Sequence, residues 1–312
     1  PDLTVQVRRG FFDIEPPPPA TKDSKAKKAA EPERTDRSPE AEVKKVMFAP
    51  YPTRDIPVSL NLDYVNTRDR GMILSAVMQV PGEFLSFVPT DGKQTAVVSV
   101  AGAFLNDHGN AGAVFNNQIT MKAPSIGAAK GGNVLSYSHS VFLGPGLYQV
   151  RVVARDEKSG HSGSANAWME IPNLASGQLA LSSLLVGIRG QSAISNSSAG
   201  SQNLPVELRI THTFSAADYL RFAVFVYNAA RAPADSKPDL AVQVQLIRDD
   251  QPVVTSPLKK ISTEDVADLG RIPYAAETSL SGLPAGRYLL KVTVVDRVAK
   301  QSASQQTRFE IE

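Results

Sequence analysis

From Ile56 onward the chain alternates apolar and polar residues and interrupts the alternation at short intervals with turn signals. Val58, Leu60, Leu62 and Tyr64 alternate with Ser59, Asn61 and Asp63, and Gln149 and Arg151 alternate with Tyr148, Val150 and Val152. Period-two alternation puts one apolar face on a strand and leaves the other face wet. The breaks fall at Pro81-Gly82, Asp91-Gly92, Asp107–Asn110, Gly131-Gly132 and Gly144-Pro145-Gly146. Short strands punctuated this way predict an all-β chain of antiparallel sandwiches and not a βαβ fold.

The pattern occurs twice. Ile56-Pro57-Val58 matches Leu204-Pro205-Val206 at an offset of 148 residues. Tyr148 and Asp156 match Tyr288 and Asp296 at an offset of 140, so the second copy is about 8 residues shorter inside. Two copies of one unit predict tandem Ig-like antiparallel β-sandwiches over 46–173 and 174–312, joined through the strand-like Leu179–Val186. A glycine turn precedes each tyrosine, which begins a long strand ending in an aspartate. Tyr148 and Tyr288 are expected to bury the ring and fasten a neighbouring loop with the hydroxyl. Asp156 and Asp296 are expected to hold a turn through backbone N–H groups. The competing reading for the aspartates, a calcium site, lacks a second acid two or four residues from Asp296.

The first 45 residues differ. Residues 1–15 carry one isolated strand pattern, with Leu3, Val5 and Val7 alternating with Thr4, Gln6 and Arg8 before Gly10, Phe11 and Phe12. A single strand is not stable alone and needs a sheet to join. Residues 16–45 form a Pro/Ala/Lys-rich linker: 6 of the 30 are Pro, 5 Ala, 8 Lys or Arg and 6 Asp or Glu, with no aromatic. That composition cannot bury enough apolar area to offset its ordering entropy. Its end reads as a short helix from Pro39 to Phe48, with Ser38 as N-cap and Val43, Val46 and Met47 on one face.

The chemistry-bearing residues are scattered. There is no cysteine, which excludes disulfides, thiolate metal sites and a cysteine nucleophile. Lys and Arg number 33 against 31 Asp and Glu, a net charge of +2, too even for a dedicated nucleic-acid binder. No apolar run is long enough to span a bilayer. No catalytic elbow, metalloprotease helix, phosphate loop or EF-hand occurs, so no catalytic residue, metal or cofactor is expected. His108 and Asp249-Asp250 read as hairpin tips. His139, His161 and His212 have no same-face partner two residues away. Trp168, the only tryptophan, reads as core in a closing strand, with an exposed sugar platform as the other reading.

The quoted segments resemble a bacterial family, the region downstream of the von Willebrand factor A-related domain of the acidobacterial type. Leu3–Phe12 is similar to the last strand of that A-type domain. Glu40–Pro50 leading into Ile56-Pro57-Val58 resembles the helix that follows it. Leu143–Tyr148, Ile171–Leu174 and Leu179–Leu185 resemble the passage between the two downstream domains, and Tyr219–Phe222 and Phe225–Asn228 the early strands of the second. The resemblance implies an exported protein at the cell surface, outside the cell or in the periplasm, and a chain that is an internal fragment or mature product. The A-type domain and its Asp-x-Ser-x-Ser metal site are absent, so metal-dependent adhesion is carried onto no residue here.

These readings point to a non-enzymatic structural or interaction protein. Residues 3–12, with Leu3, Val5, Val7, Phe11 and Phe12, are expected either to add as a strand to a sandwich edge in a neighbouring copy, or to fold back onto their own chain or belong to a truncated domain. Head-to-tail repetition would build a filament. The partners expected are other copies of the chain or another surface protein, and neither nucleic acid nor membrane. The alternative is an accessory region of an exported adhesin or hydrolase whose active or metal site lies elsewhere.

Overall fold

A computed structural model describes residues 39–127, 133–189, 206–208, 212–264 and 266–312. The donor segment Leu3–Phe12, the N-cap Ser38 and the repeat residues Leu204 and Pro205 lie outside them. The described chain is an all-β sandwich architecture with one α-helix, α1 (Pro39–Met47).

Eight strands surround the first hydrophobic core: β1 (Ser59–Thr67), β2 (Gly71–Pro81), β3 (Val88–Thr90), β4 (Lys93–Asn106), β5 (Ala111–Ala123), β6 (Val134–Phe142), β7 (Gly146–Asp156) and β8 (Ser162–Ile171). One sheet runs β1-β2-β6. The facing sheet runs β3-β4-β7-β8, with β5 also on β4. The second core is enclosed by β9 (Ala180–Leu181), β10 (Leu185–Arg189), β11 (Val206–Leu208), β12 (Thr213–Phe214), β13 (Tyr219–Tyr227), β14 (Leu240–Arg248), β15 (Gln251–Thr255), β16 (Lys259–Lys260), β17 (Arg271–Ser279), β18 (Gly286–Asp296) and β19 (Gln301–Ile311). There one sheet runs β11-β10-β13-β17, with β9 on β13. Its partner runs β12-β19-β18-β14-β15, with β16 on β14.

Alternation decides the layers. On β2, Met72, Leu74, Ala76, Met78 and Val80 are buried while their neighbours are half-exposed. On β18, Tyr288, Leu290, Val292, Val294 and Asp296 face inward in the same way. On β4 the alternation stops at Ala101, and both faces are buried through Leu105. The reason is α1. Its Val43, Val46 and Met47 pack on Ala101 and Val153, on the outer face of the sheet. Acids in its first turn and lysines in its last suit the helix dipole.

Local chemistry sets the turns. Asp91 and Gly92 have φ of 51° and 73°, and Asp249 and Asp250 have 50° and 59°. These are the paired left-handed residues of tight hairpins, a conformation that Asp and Gly tolerate best. Two glycines permit close approach. A Cβ at Gly163 would meet the carbonyl of Ile56, because residues 53–56 bind alongside β8 through Ile56 N–H to Ser162 O (3.3 Å) and Ser164 N–H to Thr53 O (2.9 Å). A Cβ at Gly102 would meet the Phe115 ring from the neighbouring strand. That ring stacks on His139 of β6 with centroids 4.5 Å apart, so it bridges the two sheets on one side of the sandwich.

Candidate functional site

The two aspartates that end β7 and β18 are fully buried. Asp156 Oδ1 accepts from the N–H groups of Lys158 (3.0 Å) and Ser159 (2.8 Å) and from the Ser159 hydroxyl (3.1 Å); Oδ2 accepts from Ser86 N–H at 2.6 Å. Asp296 Oδ1 accepts from Val298 and Ala299 N–H at 2.9 and 3.0 Å, and Oδ2 from Ala230 N–H at 2.7 Å. One carboxylate oxygen holds the hairpin turn and the other fastens a loop from far along the chain. Both oxygens face donor hydrogens, the opposite of what a cation requires of its ligands. Among the described residues no cluster of three or more His, Asp or Glu is placed to hold a metal ion.

The two tyrosines also occupy equivalent places. Each is the third residue of an eleven-residue strand. Tyr148 Oη donates to Gly144 O at 3.1 Å and Tyr288 Oη to Pro284 O at 2.7 Å, each four residues back. They differ in cover. Tyr288 is buried, with Phe309 stacked 5.4 Å away and the Arg248 guanidinium 5.5 Å from its ring centre. Tyr148 is half-exposed.

A third set of polar contacts joins the two cores, and the sequence pattern does not mark it. Tyr64, in the middle of β1, exchanges backbone bonds with the segment that leads into the second core. Its N–H donates to Ser183 Oγ (2.8 Å), and its carbonyl accepts from Ser183 N–H (3.0 Å). Its hydroxyl donates to Leu181 O (2.9 Å) and accepts from Gln305 Nε2 of β19 (2.8 Å). Ser182 does the corresponding work toward β13: its N–H donates to Phe225 O, and its hydroxyl accepts from Phe225 N–H, both at 2.9 Å. Asn66 N–H donates to Tyr227 Oη at 2.9 Å, and Arg68 pairs with Asp268 at 3.2 Å on the rim. Burial raises the Tyr64 hydroxyl above the usual tyrosine range, and the neighbouring Tyr227 adds to this. Burial raises Tyr227 as well, so both phenols keep their protons. The one sequence cue was the Ser182-Ser183 pair inside the apolar run Leu179–Val186. That run is two short strands, β9 and β10, with the serines between them.

The remaining candidates are separate from this set and from one another. His108 sits at a hairpin tip beside Asp107, 2.7 Å away, with its N–H on Asn106 Oδ1. His139 is in the stack with Phe115, whose neighbour Tyr137 accepts from Asn117 Nδ2 at 2.7 Å. His161 lies in the Asp156 turn, where its N–H donates to Ser159 Oγ. Burial lowers the pKa of His212, opposed by the Arg308 carbonyl 3.0 Å from its Nδ1. Trp168 is 47% exposed on the outer face of β8, across from Gln149. It is not core, because the strand's inward positions go to Ala165, Ala167, Met169 and Ile171. Beside α1 a groove of about 660 Å³ is lined by Glu40, Ser99, Asn116, Asn117, Gln118 and Glu157. Glu157 pairs with Arg155 at 3.3 Å, and Arg155 also pairs with Glu42 of α1 at 3.2 Å. On β1, Asp63 has its carboxyl pushed up to about 6 by burial, against the opposing bond from Asn61 Nδ2. No helix among the described residues is long and apolar enough to cross a membrane. Compared with known proteins, the chain matches no family model and no curated protein.

Proposed function

We propose that this chain is a non-enzymatic structural and interaction module of an exported bacterial surface protein. It is built as two tandem Ig-like sandwiches, 46–173 and 174–312, and assembles with other copies by donating residues 3–12 as a strand. The observation that carries the structural role is the Tyr64 clamp. Hydrogen bonds to backbone and side chain, mostly shielded from water, hold one core against the other, as a spacer that transmits force requires. The best-placed polar groups, Asp156, Asp296, Tyr64, Ser182 and Ser183, are consumed in fastening strands. Export rests on the family resemblance, and a chain without cysteine is compatible with it.

Two measurements test this reading. Spin labels placed on β2 and β14 are expected to give one narrow distance distribution that broadens when Tyr64→Ala and Ser183→Ala are combined. A broad distribution in the unaltered chain would rule out the spacer. Deleting residues 1–12 is expected to reduce an assembled protein to monomers by particle mass, and unchanged mass would remove the donor strand from the proposal.

A further inference from the structure

The strands that border the sheets are not protected equally. At the edge of the second core, β17 bonds to β13 in a ladder whose phase is set by Leu280 N–H to Asp218 O at 3.2 Å. Bonded and unbonded pairs alternate in an antiparallel ladder. The even-numbered residues of β17 therefore bond to β13, and the odd-numbered ones, Pro273 among them, turn their backbone away from it. Pro273 has no N–H to offer there. The other borders of this half are short: β11 has 3 residues, β12 has 2, and β15 has 5, with Pro252 and a register shift. Prolines, charges and short lengths are the devices that keep an edge from recruiting another strand.

Around the first core, β1 is covered by the Ser183 contact, β8 by residues 53–56, and β3 is 3 residues with Pro89. β5 carries Lys122. β6 has none of these. Its nine residues, Val-Leu-Ser-Tyr-Ser-His-Ser-Val-Phe, include no Lys, Arg, Asp, Glu or Pro, and its ladder with β2 runs without a shift. The phase is fixed at both ends, by Leu143 N–H to Met72 O (3.1 Å) and Gly82 N–H to Asn133 O (2.7 Å). Odd-numbered residues therefore bond to β2. Val134, Ser136, Ser138, Ser140 and Phe142 direct N–H and C=O outward, and among the described residues no strand pairs with them. On the core side, Tyr137, His139 and Val141 are only half-buried, a ledge open at this edge.

We propose that this edge of β6 is the acceptor for residues 3–9 of a second copy of the chain, which rests on the strand-donation reading above. The segment has the period the edge demands. Leu3, Val5 and Val7 fall on one face and would cover the Tyr137–Val141 ledge. Thr4, Gln6 and Arg8 fall on the other, beside Ser136, Ser138 and Ser140. Arg8 and Arg9 meet no cation on β6. The 29 residues from Gly10 to Ser38 can extend to roughly 90 Å at about 3.1 Å per residue, enough to reach a neighbouring molecule. Each copy then gives residues 3–9 as a strand and receives one at β6. These are different surfaces, so the contact propagates without closing.

Ser138→Pro separates this acceptor from the donation itself. It removes one outward N–H and leaves the bonds to β2 intact, as proline on a free edge does. The full chain is expected to sediment as species heavier than 33.4 kDa, and the chain lacking residues 1–12 as a monomer. A fluorescent peptide of residues 1–12 is then titrated into the shortened chain with and without Ser138→Pro. The substitution is expected to weaken binding at least tenfold with the circular dichroism unchanged. Ser138→Lys, which adds the charge that edges normally carry, serves where the proline variant does not fold. Equal binding to the variants would overturn the β6 assignment while leaving donation in place. A peptide that does not bind, or a shortened chain that still assembles, would overturn donation and this assignment together. A full chain that is monomeric while the peptide binds would show the strand returning to its own molecule, against a second copy.

Discussion

The hairpin of β7 and β8 and the hairpin of β18 and β19 are built alike. Each begins at a glycine with positive φ, Gly146 at 146° and Gly286 at 140°, and places a tyrosine third and a buried aspartate last. Each aspartate bonds the N–H groups two and three residues on and one more from a distant loop. The borders of the two halves have no such likeness. The second half ends its sheets in short strands and prolines, whereas the first leaves the nine-residue β6 unguarded. The interior of a sandwich admits few solutions, because every buried N–H must find a partner. An edge is under no such constraint and follows what the surface has to do.

The largest expected effect tests whether the two interiors are as equivalent as they look. Asp156→Ala and Asp296→Ala each strip a buried carboxylate from several N–H donors. Bonds to charged acceptors are worth more than neutral ones, and the stranded donors add their own cost, so each substitution is expected to cost about 3 kcal/mol or more. Hydrogen exchange should show the loss in the β4–β7 amides for Asp156→Ala and in the β14–β18 amides for Asp296→Ala. Equal losses in both cores for either variant would mean that the clamp makes the halves unfold together.

Residues whose contacts are local were legible before the structure. Asp156 and Asp296 act over two and three residues through Oδ1, Tyr148 and Tyr288 over four, and the alternation along β2 and β18 is itself a record of burial; the Oδ2 bonds to Ser86 and Ala230, 70 and 66 positions away, were not legible. The clamp was not legible. Tyr64 meets Ser183 from 119 positions away and Gln305 from 241, and nothing in the alternation distinguishes an inward tyrosine that also reaches the other core. Trp168 was misplaced for a similar reason. Its closing strand has one dry face and one wet face, and residue type alone favours the dry one. The edge of β6 is legible only after pairing is known, since a serine-rich alternating strand reads the same in the middle of a sheet as at its border.

A smaller effect separates the halves by pH. Asp63 on β1 has its folded pKa raised to about 6 from an ordinary 3.8, so the folded state binds a proton more tightly than the unfolded chain. Stability from this group is complete below pH about 4 and is lost as pH rises through about 6, amounting to roughly 1–3 kcal/mol. Unfolding free energies from urea titrations between pH 4 and 7 should fall by that amount, and Asp63→Asn should remove the step and be the more stable protein at pH 7. A step that persists in Asp63→Asn would locate the titration elsewhere.

The smallest effect asks how far the equivalence of the two tyrosines extends beyond geometry. Both hydroxyls bond a carbonyl four residues back. Tyr288 does so at 2.7 Å in a buried setting under Phe309 with Arg248 Nη1 also on its hydroxyl at 3.2 Å, and Tyr148 at 3.1 Å half in water. Removing a buried hydroxyl strands its partners, whereas water replaces an exposed one. Tyr288→Phe is therefore expected to cost about 1–2 kcal/mol and Tyr148→Phe about 0.5 kcal/mol or less by chemical denaturation. The ratio carries the argument more than either value. Equal costs would mean that the hydroxyl serves the turn alone, independent of the core beneath it. A larger cost at Tyr148 would mean that the Gly144 turn, which leads directly from β6 into β7, is held mainly by that one bond.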